Sequence, residues 1–204
     1  MRSRISELLL SKEEILEFVR EMEPTDHVVF FYERPEDKYD VLFTYLVSGI
    51  EKGYAGIYVA SEEKPEMVKL RMKEYGVDVE RLVKDRALQV LSYENWYIRE
   101  GKVDPTYTIN LWKNKLEEAK ALGFKSLRAT GEMSCFISYN LVNKLLEYES
   151  MLHRRLELAM MGLCAYNMRQ IFERKLLKIF PELVRTHRYV IIIGPRETGV
   201  TIVI

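Results

Sequence analysis

HVVFFYERPEDKY, residues 27–39, joins a short apolar run to the start of a helical pattern. Residues 27–32 are rich in β-formers and read as a strand buried on both faces. In an open α/β sheet that binds nucleotides, the loop leaving the first strand is rich in glycine, because the backbone must wrap a phosphate closely. Here that loop holds no glycine. It carries Glu33, Glu36 and Asp37 instead, and these carboxylates repel an anion. The stretch has the strand–loop–helix order of a nucleotide site without its chemistry.

Outward from it the same rhythm repeats. A helix is predicted over 36–52, a strand over 55–60, a helix over 64–75 and a strand over 87–91. A helix over 106–122, a strand over 125–130, a helix over 141–159, a strand over 160–166 and a helix over 168–180 follow. Strands alternating with helices make βαβ units, so the expected class is α/β: three layers, with a mostly parallel sheet and helices on both faces. Before the first strand, Ser11, Lys12, Glu13 and Glu14 form a capping-box pattern. Ile15, Phe18, Val19 and Met22 then recur at helical spacing until Pro24 stops the helix. Residues 1–24 are therefore expected as an N-terminal helical arm appended to an α/β domain over 25–204.

The last stretch, IIIGPRETGVTIVI over 191–204, carries the spacing of a phosphate loop, G-x-x-x-x-G-K-[ST], with Val200 in place of the lysine. Such a loop must feed a helix whose N-terminus receives the phosphate. Only three residues follow Thr201, all apolar, so no helix fits. Two β-rich runs, 189–194 and 199–204, on either side of a glycine-bounded turn predict an antiparallel C-terminal hairpin. A Walker-B-like strand is missing as well: Lys125 and Arg128 interrupt the strand that leads to an acid, Glu132. With no intact catalytic motif, an enzyme is not expected.

Composition narrows the classes further. A formal net charge of zero over 204 residues argues against a nucleic-acid footprint, which needs a basic face. The basic excess between Ser150 and Glu197 reads as a solvated helix surface. No apolar run is long enough to span a bilayer and no signal-peptide pattern opens the chain. Cys135 and Cys164 make neither a disulfide framework nor a metal-spacing motif, so a cytoplasmic protein is expected. Scarce glutamine beside abundant Glu, Lys and Arg leans toward a thermophile.

Ligands of doubly wound sheets bind at the carboxyl ends of the strands. Those ends offer Tyr32 and Glu33, Ser61 and Glu62, residues 92–96, residues 130–133, and Tyr166 with Asn167. The set is aromatic and acidic with scattered amides, which suits a small organic molecule better than a phosphate. Glu132 can accept a ligand's hydrogen bond, act as a base, cap the next helix or pair with Arg128. His27 opens its strand at the opposite end. It can serve as a base or metal ligand, or sit bonded to a backbone carbonyl or to Asp26, the reading preferred here. His153 and His187 lack partners at ligand spacing, so no metal site and no cofactor are expected. Met133, Met160 and Met161 read as core, Cys164 as a small buried hydrophobe, and Glu147 and Glu149 as a solvated helix face.

The ordered set His27…Phe31-Tyr32, Gly49…Gly53, Tyr75-Gly76…Asp78, Gly101…Asp104, Leu127-Arg128…Gly131-Glu132-Met133, Tyr148-Glu149 and Cys164-Ala165-Tyr166 resembles the MEDS domain. This is the methanogen and methylotroph sensory domain of a dichloromethane-responsive regulator and of archaeal and bacterial histidine kinases. The likeness covers about 26–189. It implies a RecA/KaiC-like core without nucleotide-binding motifs and a role in sensing small hydrocarbon derivatives. It also implies His27, Tyr32, Arg128, Glu132, Glu149 and Tyr166 as ligand-binding positions. Members usually carry an output module. None is recognised beside the N-terminal arm and C-terminal hairpin, so DNA control by this chain is not expected.

Three functions remain in view: a sensory module for a small organic ligand, a divergent RecA/KaiC-like ATP-binding protein, and a scaffold for a signalling partner or a second copy. The last is motivated by the apolar stripe of the N-terminal helix, which must be covered, either by a partner or, the reading preferred here, by folding back on its own domain.

Overall fold

The structure, a computed structural model, describes residues 6–155, 159–194 and 198–203, with the backbone course alone at 6–9, 154–155 and 198–203. The elements run β1 (Ser6–Ser11), α1 (Lys12–Glu21), β2 (His27–Tyr32), α2 (Pro35–Glu51), β3 (Ala55–Ala60), α3 (Pro65–Glu74), α4 (Val79–Lys84) and β4 (Leu88–Ser92). Then follow α5 (Pro105–Ala121), β5 (Leu127–Glu132), α6 (Ser134–Ser138), α7 (Val142–Arg155), β6 (Met161–Asn167), α8 (Met168–Glu173), α9 (Phe180–Arg185), β7 (Tyr189–Ile193) and β8 (Thr198–Val203). Proline opens α2, α3 and α5, where its missing N–H is no loss.

All strands join one sheet in the order β1-β8-β7-β2-β6-β5-β3-β4. The six from β7 to β4 are parallel. Alternate residues of β2 feed two cores. Val29 and Phe31 pack with α5, α7 and α9 through Trp112, Leu145 and Leu183. Val28, Phe30 and Tyr32 pack with α1 to α4 through Val19, Leu46, Val68 and Leu82. The strand is covered on both sides, which is why it reads as a continuous apolar run. No helix among the described residues is long and apolar enough to cross a membrane.

Several details depart from the expectations. The N-terminal arm is not helix alone. β1 pairs antiparallel with β8 from Ser6↔Val203 to Ser11↔Thr198, and α1 buries Ile15 and Val19 completely. Residues 6–22 therefore belong to the sheet and its helical layer rather than forming an appendage. The capping box at Ser11 is present: Ser11 Oγ accepts from Glu14 N and Glu14 Oε2 accepts from Ser11 N at 2.7 Å. The strand expected at 125–130 begins two residues later, which brings Glu132 into its last position. The helix expected over 168–180 breaks at Lys175, whose φ is 56°, and resumes at Phe180–Pro181. β8 runs antiparallel beside β7 from Tyr189↔Val203 to Ile193↔Gly199; the expected turn at 195–197 lies outside the described residues.

Candidate functional site

Four strands deliver polar groups to the carboxyl edge. Glu132 ends β5 and is fully buried, and its two oxygens accept four hydrogen bonds. Oε1 accepts from Lys38 Nζ at 2.8 Å and Tyr58 OH at 2.6 Å, and Oε2 from the backbone N–H groups of Ser61 at 2.7 Å and Glu62 at 2.6 Å. Glu62 Oε2 takes a second contact from Lys38 at 3.0 Å. Its Oε1 accepts from Tyr32 OH at 2.5 Å, Ser134 Oγ at 2.6 Å and Asn167 Nδ2 at 3.2 Å. Burial pushes the Lys38 ammonium down, but Glu132 and Glu62 outweigh it and hold it above its ordinary value. Burial pushes the Glu62 carboxyl up, while the Lys38 charge and the bonds from Ser134 and Tyr32 bring it below its ordinary value. Burial, then the neighbouring carboxylates, raise the Tyr32 phenol far enough that it stays a donor.

Lys38 sits in the first turn of α2, and its place in the sequence is informative. Tyr32, Asp37, Lys38 and Tyr39 occupy the slots of glycine, glycine, lysine and Ser/Thr in G-x-x-x-x-G-K-[ST]. The lysine is kept and the glycines are not. Tyr32 places a buried ring where the backbone would approach a phosphate. Asp37, also buried, is held by Arg34 Nε at 2.7 Å and Lys12 Nζ at 3.0 Å. The lysine that would meet a phosphate meets two carboxylates of its own chain.

Arg128 lies elsewhere. Its side chain passes from β5 into the layer of α1 and α2. Nη1 donates to Val19 O at 3.1 Å, Tyr45 O at 2.7 Å and Ser48 Oγ at 2.9 Å; Nη2 donates to Arg20 O and Met22 O, each at 2.8 Å. The guanidinium caps the carboxyl end of α1, where unpaired carbonyls and the helix dipole favour a cation. Gly49 makes room for it: a Cβ there would come within 2.2 Å of Arg128 Cδ.

A third group lies on the opposite face, near the amino end of β2. His27, Glu149, Cys164 and His187 are all buried there. Burial pushes Glu149 up to about 7 against hydrogen bonds from Tyr166 and Cys164, with Tyr166 OH at 2.5 Å from Oε1. Burial drives His187 down to about 3, and burial with the neighbouring histidines carries His27 well below its ordinary value, so both rings are neutral.

The fold resembles that of a KaiC-like protein from the hyperthermophilic archaeon Pyrococcus horikoshii OT3, at a TM-score of 0.57 and 15% identity, covering 83% of this chain and 71% of that one. At that identity the likeness concerns the fold alone. Comparison with curated proteins gives no match. The family model for MEDS, the methanogen/methylotroph, DcmR sensory domain, matches residues 26–188. The chain belongs to the MEDS family.

In this MEDS domain the expected site residues divide into separate groups. Tyr32 and Glu132 meet at the carboxyl edge through Lys38 and Glu62, and Glu33 is half-buried in the turn beside them. His27, Glu149 and Tyr166 meet on the α7 face. Arg128 joins neither and does not pair with Glu132. Three sequence readings need correction. Glu149 is buried, not solvated. Cys164 is buried but lies beside His27 and Glu149, not among hydrophobes alone. His187, without partners in sequence, has three in space. Lys38 was missed, although a lysine at the right register of the first loop was the available signal. For His187 and Cys164 no local spacing gave one.

Proposed function

We propose that this MEDS domain is a signalling sensor that recognises a small polar organic molecule at the carboxyl edge of its sheet and does not hydrolyse ATP. The observation that carries the reading is the pairing of Lys38 with Glu132 and Glu62. It neutralises inside the protein the charge a triphosphate needs, and Tyr32 supports it by occupying the space of a phosphate-loop glycine. The half-buried rim of Ser61, Glu62 and Asn167 offers hydroxyl, carboxylate and amide groups, a donor–acceptor set suited to an alcohol, amine or amide. Output then passes to a signalling partner or a second copy.

The test is thermal unfolding with a panel of small alcohols, amines, amides and acids, with Mg-ATP alongside, plus a phosphate-release assay. A ligand that binds the folded state raises the melting temperature by mass action. The expected result is a shift from at least one organic compound, lost in Asn167→Ala, with neither shift nor turnover from Mg-ATP. The retained Lys38 favours the rival ATP-binding reading. Mg-ATP turnover by the wild-type protein, lost in a Lys38→Met variant that is still folded at the assay temperature, would establish that rival and overturn this one.

A further inference from the structure

The polar cluster beneath the α7 face has the form of a metal centre. Around Glu149 Oε2 lie His27 Nε2 at 3.7 Å, His187 Nε2 at 3.5 Å and Cys164 Sγ at 3.6 Å, and Cys164 Sγ is 3.5 Å from His27 Nε2. All four candidate ligand atoms fall within 4.8 Å of one another. A tetrahedron drawn with zinc–nitrogen, zinc–oxygen and zinc–sulfur bonds has edges of about 3.3–3.6 Å. The four distances given are close to those edges, and the two between nitrogen and oxygen are long for hydrogen bonds. The remaining two pairs lie within 4.8 Å, so loading draws the ligands in by a fraction of an ångström to about one ångström.

The orientation of the rings points the same way. His187 Nδ1 donates to Leu183 O at 2.7 Å and His27 Nδ1 to Thr186 O at 3.0 Å. Each ring therefore spends its N–H on a backbone carbonyl and turns the lone pair of Nε2 toward the cluster, the usual outer support of a metal-bound histidine. His187 Nε2 is buried and has no hydrogen-bond partner. Glu149 is oriented by Tyr166 through its other oxygen. Gly162 keeps the seat of His27 open, since a Cβ there would lie 3.1 Å from the ring.

We propose that His27, Glu149, Cys164 and His187 bind one divalent transition-metal ion of the zinc class. On binding, Cys164 and Glu149 give up their protons to solvent and supply two negative charges. With two neutral imidazoles, these balance a divalent ion, so the buried centre carries no net charge. The mixed sulfur, nitrogen and oxygen set selects zinc or cobalt over magnesium or calcium. Four protein ligands close the sphere, the pattern of a structural site. The ion would tie β2, β6, α7 and the segment before β7 together. This site stands apart from the carboxyl edge and does not depend on the ligand proposed there.

The test uses the full chain expressed in minimal medium with cobalt as the supplied metal, so that loading accompanies folding. Elemental analysis and absorption are read on the purified protein. The expected result is one cobalt per chain, tetrahedral d–d bands, and a near-ultraviolet thiolate-to-cobalt charge-transfer band. Cys135→Ser, at the other cysteine of the sequence, keeps the band, and His153→Gln, at the exposed histidine stacked outside His27, keeps the metal. Cys164→Ser loses the band, and His187→Gln lowers cobalt content at least tenfold. Should Cys164→Ser not fold, retention of the band in Cys135→Ser still assigns it to Cys164. Folded wild-type protein with neither cobalt nor zinc would overturn the proposal, as would a cobalt spectrum unchanged in folded Cys164→Ser.

Discussion

Lys38 Nζ lies 2.8 Å from Glu132 Oε1, both side chains sealed from water at the carboxyl edge of the sheet. A buried ion pair of this kind depends on both members. Removing the lysine leaves a buried carboxylate facing Glu62 with no cation between them. Lys38→Met is therefore expected to destabilise the fold by about 3–5 kcal/mol, the usual cost of breaking a buried pair from one side. Adding Glu132→Gln removes the stranded charge, and the double variant should recover a large part of the loss. Urea unfolding of the two variants measures both. A Lys38→Met protein as stable as wild type would show that the pair is open to solvent.

The same network sets a pH dependence. Glu62 titrates below its ordinary value of 4.5 in the folded protein. Its contribution is therefore present above that pH and lost as pH falls through the folded-state value. Lys38 titrates above its ordinary value of 10.5, so its contribution is full below 10.5 and lost only at higher pH. The contribution of this network alone should hold on a plateau between these limits, superimposed on the slopes that His27, His187 and Glu149 set, with the Glu62 share of the acid limb missing in Glu62→Gln. Denaturant midpoints measured from pH 3 to pH 8 for both proteins would expose a limb that does not move.

Much of this architecture is legible in the chain because burial on two faces leaves continuous apolar runs such as His27–Tyr32. β1 was not legible: Ser6–Ser11 gains strand character only by pairing with β8, nearly two hundred residues away. Lys175 broke a helix whose apolar periodicity ran through it, because a positive φ leaves no mark on periodicity. The site divides in the same way. Residues at strand ends were found by the general rule for open sheets, as Tyr32 and Glu132 show. The group of His27, Glu149, Cys164 and His187 draws on two strands, a helix and a connecting segment, and no local spacing encodes such a meeting.

Arg128 and Gly49 form a matched pair. The arginine donates to three carbonyls at the carboxyl end of α1, and the glycine leaves the gap it passes through. Arg128→Met strands those acceptors and is expected to cost about 2–4 kcal/mol. Gly49→Ala places a methyl group on the Arg128 stem and should cost a similar amount by displacing it. Because both act through one contact, the double variant should lose clearly less than the sum. Full additivity in a denaturation cycle would mean that the two residues act independently.

The family match begins at residue 26, yet the sheet begins at Ser6. Deleting residues 1–23 would remove β1 from the edge of β8 and strip Ile15, Val19 and Met22 from the α2 layer. Each of these side chains contributes on the order of 1.5–3 kcal/mol when fully buried. The deletion also takes away three of the acceptors of Arg128. β8 would then present an unpaired strand edge, the usual starting point for association between chains. The truncated chain is expected to melt at a lower temperature than the full chain and to show a larger mass per particle by light scattering. If it kept the melting temperature and mass of the full chain, residues 6–22 would be an appendage after all, and the sheet would be complete without them.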